Sequence, residues 1–110
     1  MNQIQTVAYT TNTGRKPFIE WMLNLDNADR LIIISRLHRV ENGNLGNCEQ
    51  LKNASGIWEL KIKHGPGYRI YFGKENAITV ILLIGGDKGS QERDIKKAEK
   101  YWLDYLESIQ

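Results

Sequence analysis

The sequence predicts an α+β fold, in which a small, mostly antiparallel sheet packs on an αα-hairpin and a C-terminal helix in the order β-α-α-β-β-β-α. Residues 57–72 alternate apolar and charged side chains on both sides of a Gly-Pro-Gly break, which is typical of a β-hairpin. Residues 77–84 form a continuous apolar run rich in β-branched side chains, as expected of a central strand. With 110 residues, of which 41% are hydrophobic, the chain is expected to form a single domain over residues 1–110.

Composition excludes several classes of protein. The net charge of +2 is too small to require nucleic acid, so a basic site must be local. Cys48 is the single cysteine, and His38 and His64 are the only histidines, so no disulfide or zinc motif can form and no metal or cofactor is expected. No apolar run is long enough to cross a membrane and no signal peptide pattern opens the chain, so we expect a cytoplasmic protein without membrane contacts.

The first half of the chain predicts one strand and two helices. Residues 4–9 favour a short strand. Pro17 is suited to the first turn of a helix, in which apolar residues follow at helical spacing to Leu25. Asp26 or Asn27 is expected to cap a second helix that ends at residues 42–43. Residues 43–56, with their glycines and asparagines, are expected to be mostly loop.

The hairpin determines which charges the sheet displays. If Lys63 pairs with Arg69 and Lys61 with Tyr71, the apolar residues of both strands face a core together. The opposite face then carries an exposed patch of Lys61, Lys63, Arg69 and Tyr71. Like charges across a ladder are unfavourable unless an anion binds over them. The alternative is an ordinary solvated strand face with scattered charges. Glu59 shares the basic face, where it is expected to balance charge, and a role as general base is the alternative.

The last third predicts a turn at residues 73–76, a strand ending at Ile84 and a loop that leads into the final helix. Sequential strands usually lie side by side, so this strand should pair with residues 68–72 and bring Lys88 towards the patch. Ser90 is expected to cap the final helix, whose free N–H groups favour anions. Its buried stripe is predicted at Ile95, Ala98, Trp102, Tyr105 and Leu106.

These cations suit a phosphodiester. Lysine and arginine bind the phosphate backbone, and an aromatic side chain can stack on a base. Tyr68, Tyr71 and Trp58 are candidates for stacking. His64, in the hairpin turn, is either a substrate contact or simply solvated.

Four motifs together resemble a known family. They are Gly43-Asn44-x-Gly46, Glu59-Leu60-Lys61-Ile62, the Gly-Pro-Gly-Tyr-Arg segment at 65–69 and the Gly-Gly-Asp-Lys-x-x-Gln segment at 85–91. In these motifs the chain is similar to the HigB-like addiction module killer branch of the RelE/ParE toxin superfamily. The likeness spans nearly the whole chain and implies the RelE fold.

The resemblance implies the toxin of a type II toxin–antitoxin system. RelE-like toxins cut messenger RNA in the ribosomal A site by attack of the substrate's 2′-hydroxyl on the adjacent phosphate, which leaves a 2′,3′-cyclic phosphate. By motif position, Arg69 would stabilise the charged phosphorane. Lys61 and Lys63 would hold the phosphate and assist proton removal, and Tyr71 would donate a hydrogen bond or stack. Lys88 would position the RNA, together with the RNA-binding residues His64, Tyr68 and Gln91.

The same resemblance implies partners and leaves alternatives open. The expected partners are a HigA-like helix-turn-helix antitoxin, the ribosome and messenger RNA, with operator DNA bound only through the antitoxin. A ParE-like inhibitor of DNA gyrase, which binds without catalysis, is the first alternative. An inactive relative that acts only in antitoxin and repression complexes is the second.

Overall fold

The computed structural model describes residues 3–110. It has five strands and three helices, so the predicted α+β class is confirmed and one strand is added. In chain order the elements are β1 (Gln5–Ala8), α1 (Pro17–Leu23), α2 (Asn27–Glu41), β2 (Cys48–Gln50), β3 (Trp58–Ile62), β4 (Tyr68–Asn76), β5 (Thr79–Asp87) and α3 (Gln91–Ser108). A 3₁₀ turn at Lys88–Ser90 leads into α3.

The sheet has the strand order β1-β5-β4-β3-β2. All neighbours are antiparallel except β1 and β5, so the prediction of a mostly antiparallel sheet is confirmed. The predicted pairing of β5 with β4 is also confirmed, but both strands are longer than expected. β4 continues through the predicted turn at 73–76, because its pairing with β5 runs on to Asn76 and Thr79. β5 continues past Ile84 to Asp87, which lies opposite Tyr68.

The predicted loop at 43–56 contains the edge strand β2. Its three residues pair with β3, with Cys48 opposite Leu60 and Gln50 opposite Trp58. The prediction of loop was wrong here because the strand is held by its neighbour. Nothing in the short polar segment Cys-Glu-Gln favours a strand by itself.

Helices cover both faces of the sheet. On one face α1 and α2 pack on Leu60, Ile62, Tyr68, Ile70 and Phe72, the apolar row that the hairpin pattern predicts. On the other face α3 packs through its predicted stripe. The sheet face predicted to be exposed is therefore partly a second core. This burial decides which charged side chains of the hairpin remain accessible.

The helix termini follow local chemistry with one exception. Pro17 opens α1, and the Asp26 side chain caps α2 by accepting from the Asp29 N–H at 2.9 Å, as predicted. Ser90 occupies the N-cap position of α3, as predicted, but its side chain makes no capping hydrogen bond. Instead, the Asp87 side chain accepts from the N–H groups of Gly89 and Ser90, and the Ser90 hydroxyl donates to the buried carboxylate of Asp94 at 2.5 Å. Within residues 3–110, none of the helices has the length and apolar character needed to cross a membrane.

Gly73 lets the indole of Trp102 pack directly on β4. A Cβ at this position would lie 2.4 Å from the Trp102 ring, and a buried ring has little room to move. We expect Gly73→Ala to lower the free energy of unfolding by roughly 1–3 kcal/mol, measured by urea denaturation. Gly89→Ala is the control, because its Cβ would come no nearer than 3.3 Å to its neighbour, an oxygen of the Asp87 side chain. Equal stability of the two variants would contradict the packing.

Candidate functional site

The hairpin register places Lys61 directly opposite Arg69 and Glu59 directly opposite Tyr71. The predicted register was wrong by two residues, although it assigned the side chains to the correct face. The reason lies in the turn, which takes up residues 63–67 and includes Gly65 and Gly67 with positive φ. Lys63 is consequently outside the ladder, at the exposed end of β3.

Glu59 is the centre of a polar network that joins three elements. Its side chain is buried, with 1% of the residue exposed. One carboxylate oxygen accepts from the Arg69 guanidinium at 3.4 Å, and the other accepts from the Gln91 amide at 2.8 Å. Glu59 therefore supplies the predicted charge balance and also fixes Arg69 relative to the first turn of α3.

Tyr71 lies on the predicted face but is not exposed. The residue is fully buried under α3, and its hydroxyl makes no hydrogen bond of standard geometry within residues 3–110. Burial and then the negative charge of Glu59 raise the pKa of this hydroxyl. The prediction of an exposed Tyr71 was wrong because α3 covers the middle of the sheet, and the side chain cannot stack on a base from this position.

The cationic side chains near this network differ in how firmly they are held. Lys61 forms an ion pair with Glu49 of β2 at 3.3 Å, and both side chains are exposed. Lys88 is exposed. It lies beside the hairpin turn, since a Cβ added at Gly67 would be 3.7 Å from the Cβ of Lys88. Arg69 keeps 13% of its side chain exposed. A contact with an anion at Lys61 requires the amine to leave Glu49, whereas Arg69 retains free N–H groups while bound to Glu59.

His64 and Tyr68 lie away from the network, against α2. Tyr68 is 7% exposed and its hydroxyl donates to Asp29 at 2.5 Å. A ring nitrogen of His64 lies 2.8 Å from the other Asp29 oxygen. Hydrogen bonds from Tyr68, which has the larger effect, and from His64 hold the pKa of Asp29 below its usual value. The hydrogen bond to Asp29 also raises the pKa of Tyr68 to about 12. Stacking of Tyr68 on a base is excluded by its burial, while His64 remains exposed.

An open groove of about 410 Å³ adjoins the network between α1 and α3. Its floor includes Gly86, which lies opposite Arg69 in the ladder, and its α3 wall carries the exposed side chains of Arg93 and Lys97. A Cβ at Gly86 would lie 1.8 Å from the Asp94 carboxylate, so glycine is needed where α3 crosses the strand. The lining also includes Glu20, Asp87 and Asp94, so the groove is mixed in charge.

Three acidic residues of the site were missed or undervalued from the sequence. Glu49 and Asp29 lie in segments with no motif and reach their partners only through the tertiary fold. Glu59 alternates with Lys61 along β3, which indicated its face but not its burial. Within residues 3–110, no three His, Cys, Asp or Glu side chains lie together so that they could hold a metal ion.

Comparisons with known proteins agree with this architecture. The family model "Phage derived protein Gp49-like (DUF891)" matches residues 20–102. An uncharacterized protein of Haemophilus influenzae is 41% identical over 83 residues, covering 74% of this chain and 82% of the relative. A mutant of the E. coli toxin RelE in the free state superposes with a TM-score of 0.61 at 12% identity, covering 88% of this chain and 94% of that chain. The fold that the sequence motifs predict is thereby confirmed.

The hydrogen bonds between Asp29 and the hairpin should affect the stability of the fold at acidic pH. Because the pKa of Asp29 is depressed on folding, its stabilising effect is present above its unfolded pKa of about 4 and is lost as the pH falls through the depressed value. We expect Asp29→Asn to lower the thermal midpoint near neutral pH and to flatten its decrease below about pH 4. The exposed Glu107→Gln is the control. An unchanged acid slope in Asp29→Asn would contradict this linkage.

Glu59 and Glu49 form a matched pair of carboxylates, since they lie opposite each other on adjacent strands. Removing the buried Glu59 leaves Arg69 and Gln91 without their acceptor, so we expect Glu59→Ala to cost about 3 kcal/mol of stability. Glu49→Ala breaks only an exposed pair and should cost less than about 1 kcal/mol. Chemical denaturation measures both. A similar cost for the two variants would show that the Glu59 network is not anchoring α3.

Proposed function

The chain belongs to the phage-derived Gp49-like protein family, and from this membership we propose that it is the toxin of a type II toxin–antitoxin system. In this proposal it is a ribosome-dependent endoribonuclease that cuts messenger RNA. The likeness to the fold of the toxin RelE and the cationic surface beside β3, β4 and α3 support the assignment.

One observation carries the proposal. Lys61 and Arg69 lie directly opposite each other on the α3 side of the sheet, and Arg69 is held there by a buried carboxylate. Two cations in direct cross-strand contact destabilise a sheet unless negative charge lies near them. Glu49 and Glu59 supply part of that charge, and a phosphate can supply more by replacing the exposed Glu49 at Lys61.

The proposed reaction needs no group beyond RNA and the protein's side chains. The 2′-oxygen forms a bond to the adjacent phosphorus and loses its proton, the bond from phosphorus to the 5′-oxygen breaks, and that oxygen takes up a proton. The products are a 2′,3′-cyclic phosphate and a 5′-hydroxyl. Arg69 stabilises the additional charge on the phosphorane, because its guanidinium is fixed before the reaction begins.

The other cations have complementary tasks in this proposal. Lys61 and Lys63 hold the nonbridging oxygens and assist removal of the 2′-hydroxyl proton. Lys88, beside the hairpin turn, contacts the RNA backbone on the side of α3. The exposed His64 can contact RNA at the same turn, oriented by Asp29.

The buried polar residues support these groups and have no direct role in the reaction. Gln91 donates to Glu59, so its proposed task changes from RNA contact to orientation of the carboxylate. Tyr71 forms the wall beneath Glu59, and Tyr68 anchors the hairpin to α2. The direct catalytic set is thereby reduced to Lys61, Lys63, Arg69 and Lys88.

The proposal includes the partners that such a toxin requires. The substrate is messenger RNA on the ribosome, which places the protein in the cytoplasm. A HigA-like helix-turn-helix antitoxin neutralises it and carries the contact with operator DNA. A short helix-turn-helix reading frame beside this gene would support this arrangement.

Arg69→Ala should abolish toxicity and reduce messenger RNA cleavage by at least about 100-fold, because the phosphorane loses its fixed cation. Cleavage is measured by primer extension on translated messages after induction. Arg69→Lys keeps a positive charge beside Glu59 but loses the planar fork, so it should fold and still lose most of the activity. Lys52→Ala removes an exposed lysine from the loop between β2 and β3, outside the groove, and it is the control for lost charge.

The same induction distinguishes the alternatives. Cuts that require ribosomes and disappear in folded Arg69→Lys agree with the proposal. Loss of gyrase supercoiling without RNA cleavage would instead indicate a ParE-like inhibitor. Absence of both effects, with antitoxin binding retained, would indicate an inactive relative that acts only in repression complexes.

A further inference from the structure

A second cationic cluster lies on α2, outside the site described above. Arg36 and Arg39 are near enough for the charge of Arg39 to act on Arg36. Within residues 3–110, neither side chain forms an ion pair or a side-chain hydrogen bond. The two arginines therefore form a like-charge pair with no ion-pair partner among the described residues.

Arg36 is held in a sheltered position by the loop after α2. Its guanidinium packs against Gly46, where a Cβ would come within 2.1 Å of Nη2. Burial, followed by the charge of Arg39, lowers the pKa of Arg36. Both effects disfavour the charged form that arginine keeps under all ordinary conditions. A bound anion would relieve them.

The loop connects this cluster to the candidate site. It contains the Gly-Asn-x-Gly motif at 43–46, in which Gly43 and Gly46 have positive φ. Asn44 donates its backbone N–H to the Arg39 carbonyl at 2.9 Å, and one residue beyond Gly46 the Asn47 carbonyl accepts from the Lys61 N–H at 2.9 Å. The loop thus leads from the arginine cluster, on the α2 side of the sheet, past the β2 edge to Lys61, whose side chain lies on the α3 side.

We propose that Arg36 and Arg39 bind a backbone phosphate of the RNA strand beyond the phosphate held by Lys61 and Arg69, where the strand passes round the β2 edge of the sheet. This inference rests on the proposed function and extends its site by one subsite. Arginine forks match two phosphate oxygens at once. A single polyanion can contact both clusters, which favours a nucleic acid strand over an acidic protein segment.

The test measures how affinity depends on RNA length and salt. The probes are a dinucleotide and a single-stranded oligomer of about ten nucleotides, each with a 2′-deoxy position to prevent cleavage. Fluorescence anisotropy is followed from about 50 mM to about 200 mM salt. Arg36→Gln should weaken binding of the oligomer about fivefold and reduce its salt slope by about 0.7, the value for one lost phosphate contact on a single strand. Dinucleotide binding should not change.

Three variants separate charge from packing. Arg36→Lys keeps the charge and should restore most of the salt slope. Arg39→Gln changes an exposed side chain that does not pack on Gly46, and it should also lower the slope. Lys52→Gln is the control, because this exposed lysine lies in the loop between β2 and β3, at the end of β2 away from Lys61.

Two results would overturn the inference in distinguishable ways. If Lys61→Ala weakens both probes while Arg36→Gln and Arg39→Gln bind the oligomer like wild type, the proposed function stands and the subsite does not. The arginines would then be free for another partner, such as an acidic protein segment. If the wild-type protein binds neither probe even at low salt, the subsite and the proposed function both fail.

Discussion

The carboxylate of Glu59 is the interaction on which the candidate site depends. It lies in the interior between the sheet and α3, and a buried charge is stable only when donors surround it. The donors come from β4 and from the first turn of α3, so one residue fixes the position of Arg69 and the approach of the helix. Gly86 allows that approach, because any larger side chain would meet Asp94.

This anchoring divides the cations into two kinds. Arg69 is fixed beside a buried acid and has little conformational entropy to lose on binding an anion. Lys61 is paired with the exposed Glu49, and Lys63 and Lys88 are exposed side chains at the surface. A fixed cation is suited to stabilising charge that develops during a reaction, whereas mobile lysines are suited to capturing and releasing a strand. The arrangement is consistent with the proposed cleavage and with the extension along the loop to Arg36.

Sequence patterns predicted the parts of the fold that depend on residues close together in the sequence. The alternation at 57–72, the apolar run at 77–84, the Asp26 cap and the stripe of α3 are all present as expected. Strand β2 was missed because its stability comes from pairing with β3. The register was wrong by two residues because it depends on how many residues the turn takes up, and the glycines permit several turns.

By itself, the sequence determined which side chains share a face of the hairpin, since alternation along a strand is a property of the backbone. It also determined the family resemblance, and hence the chemistry proposed for Lys61 and Arg69. Only the tertiary structure decided which side chains of that face are exposed to solvent. Tyr71 and Glu59 are covered and Lys61 is not, because α3 crosses the centre of the sheet and leaves the end near the turn open. That crossing depends on packing between segments distant in the chain, which no local pattern specifies.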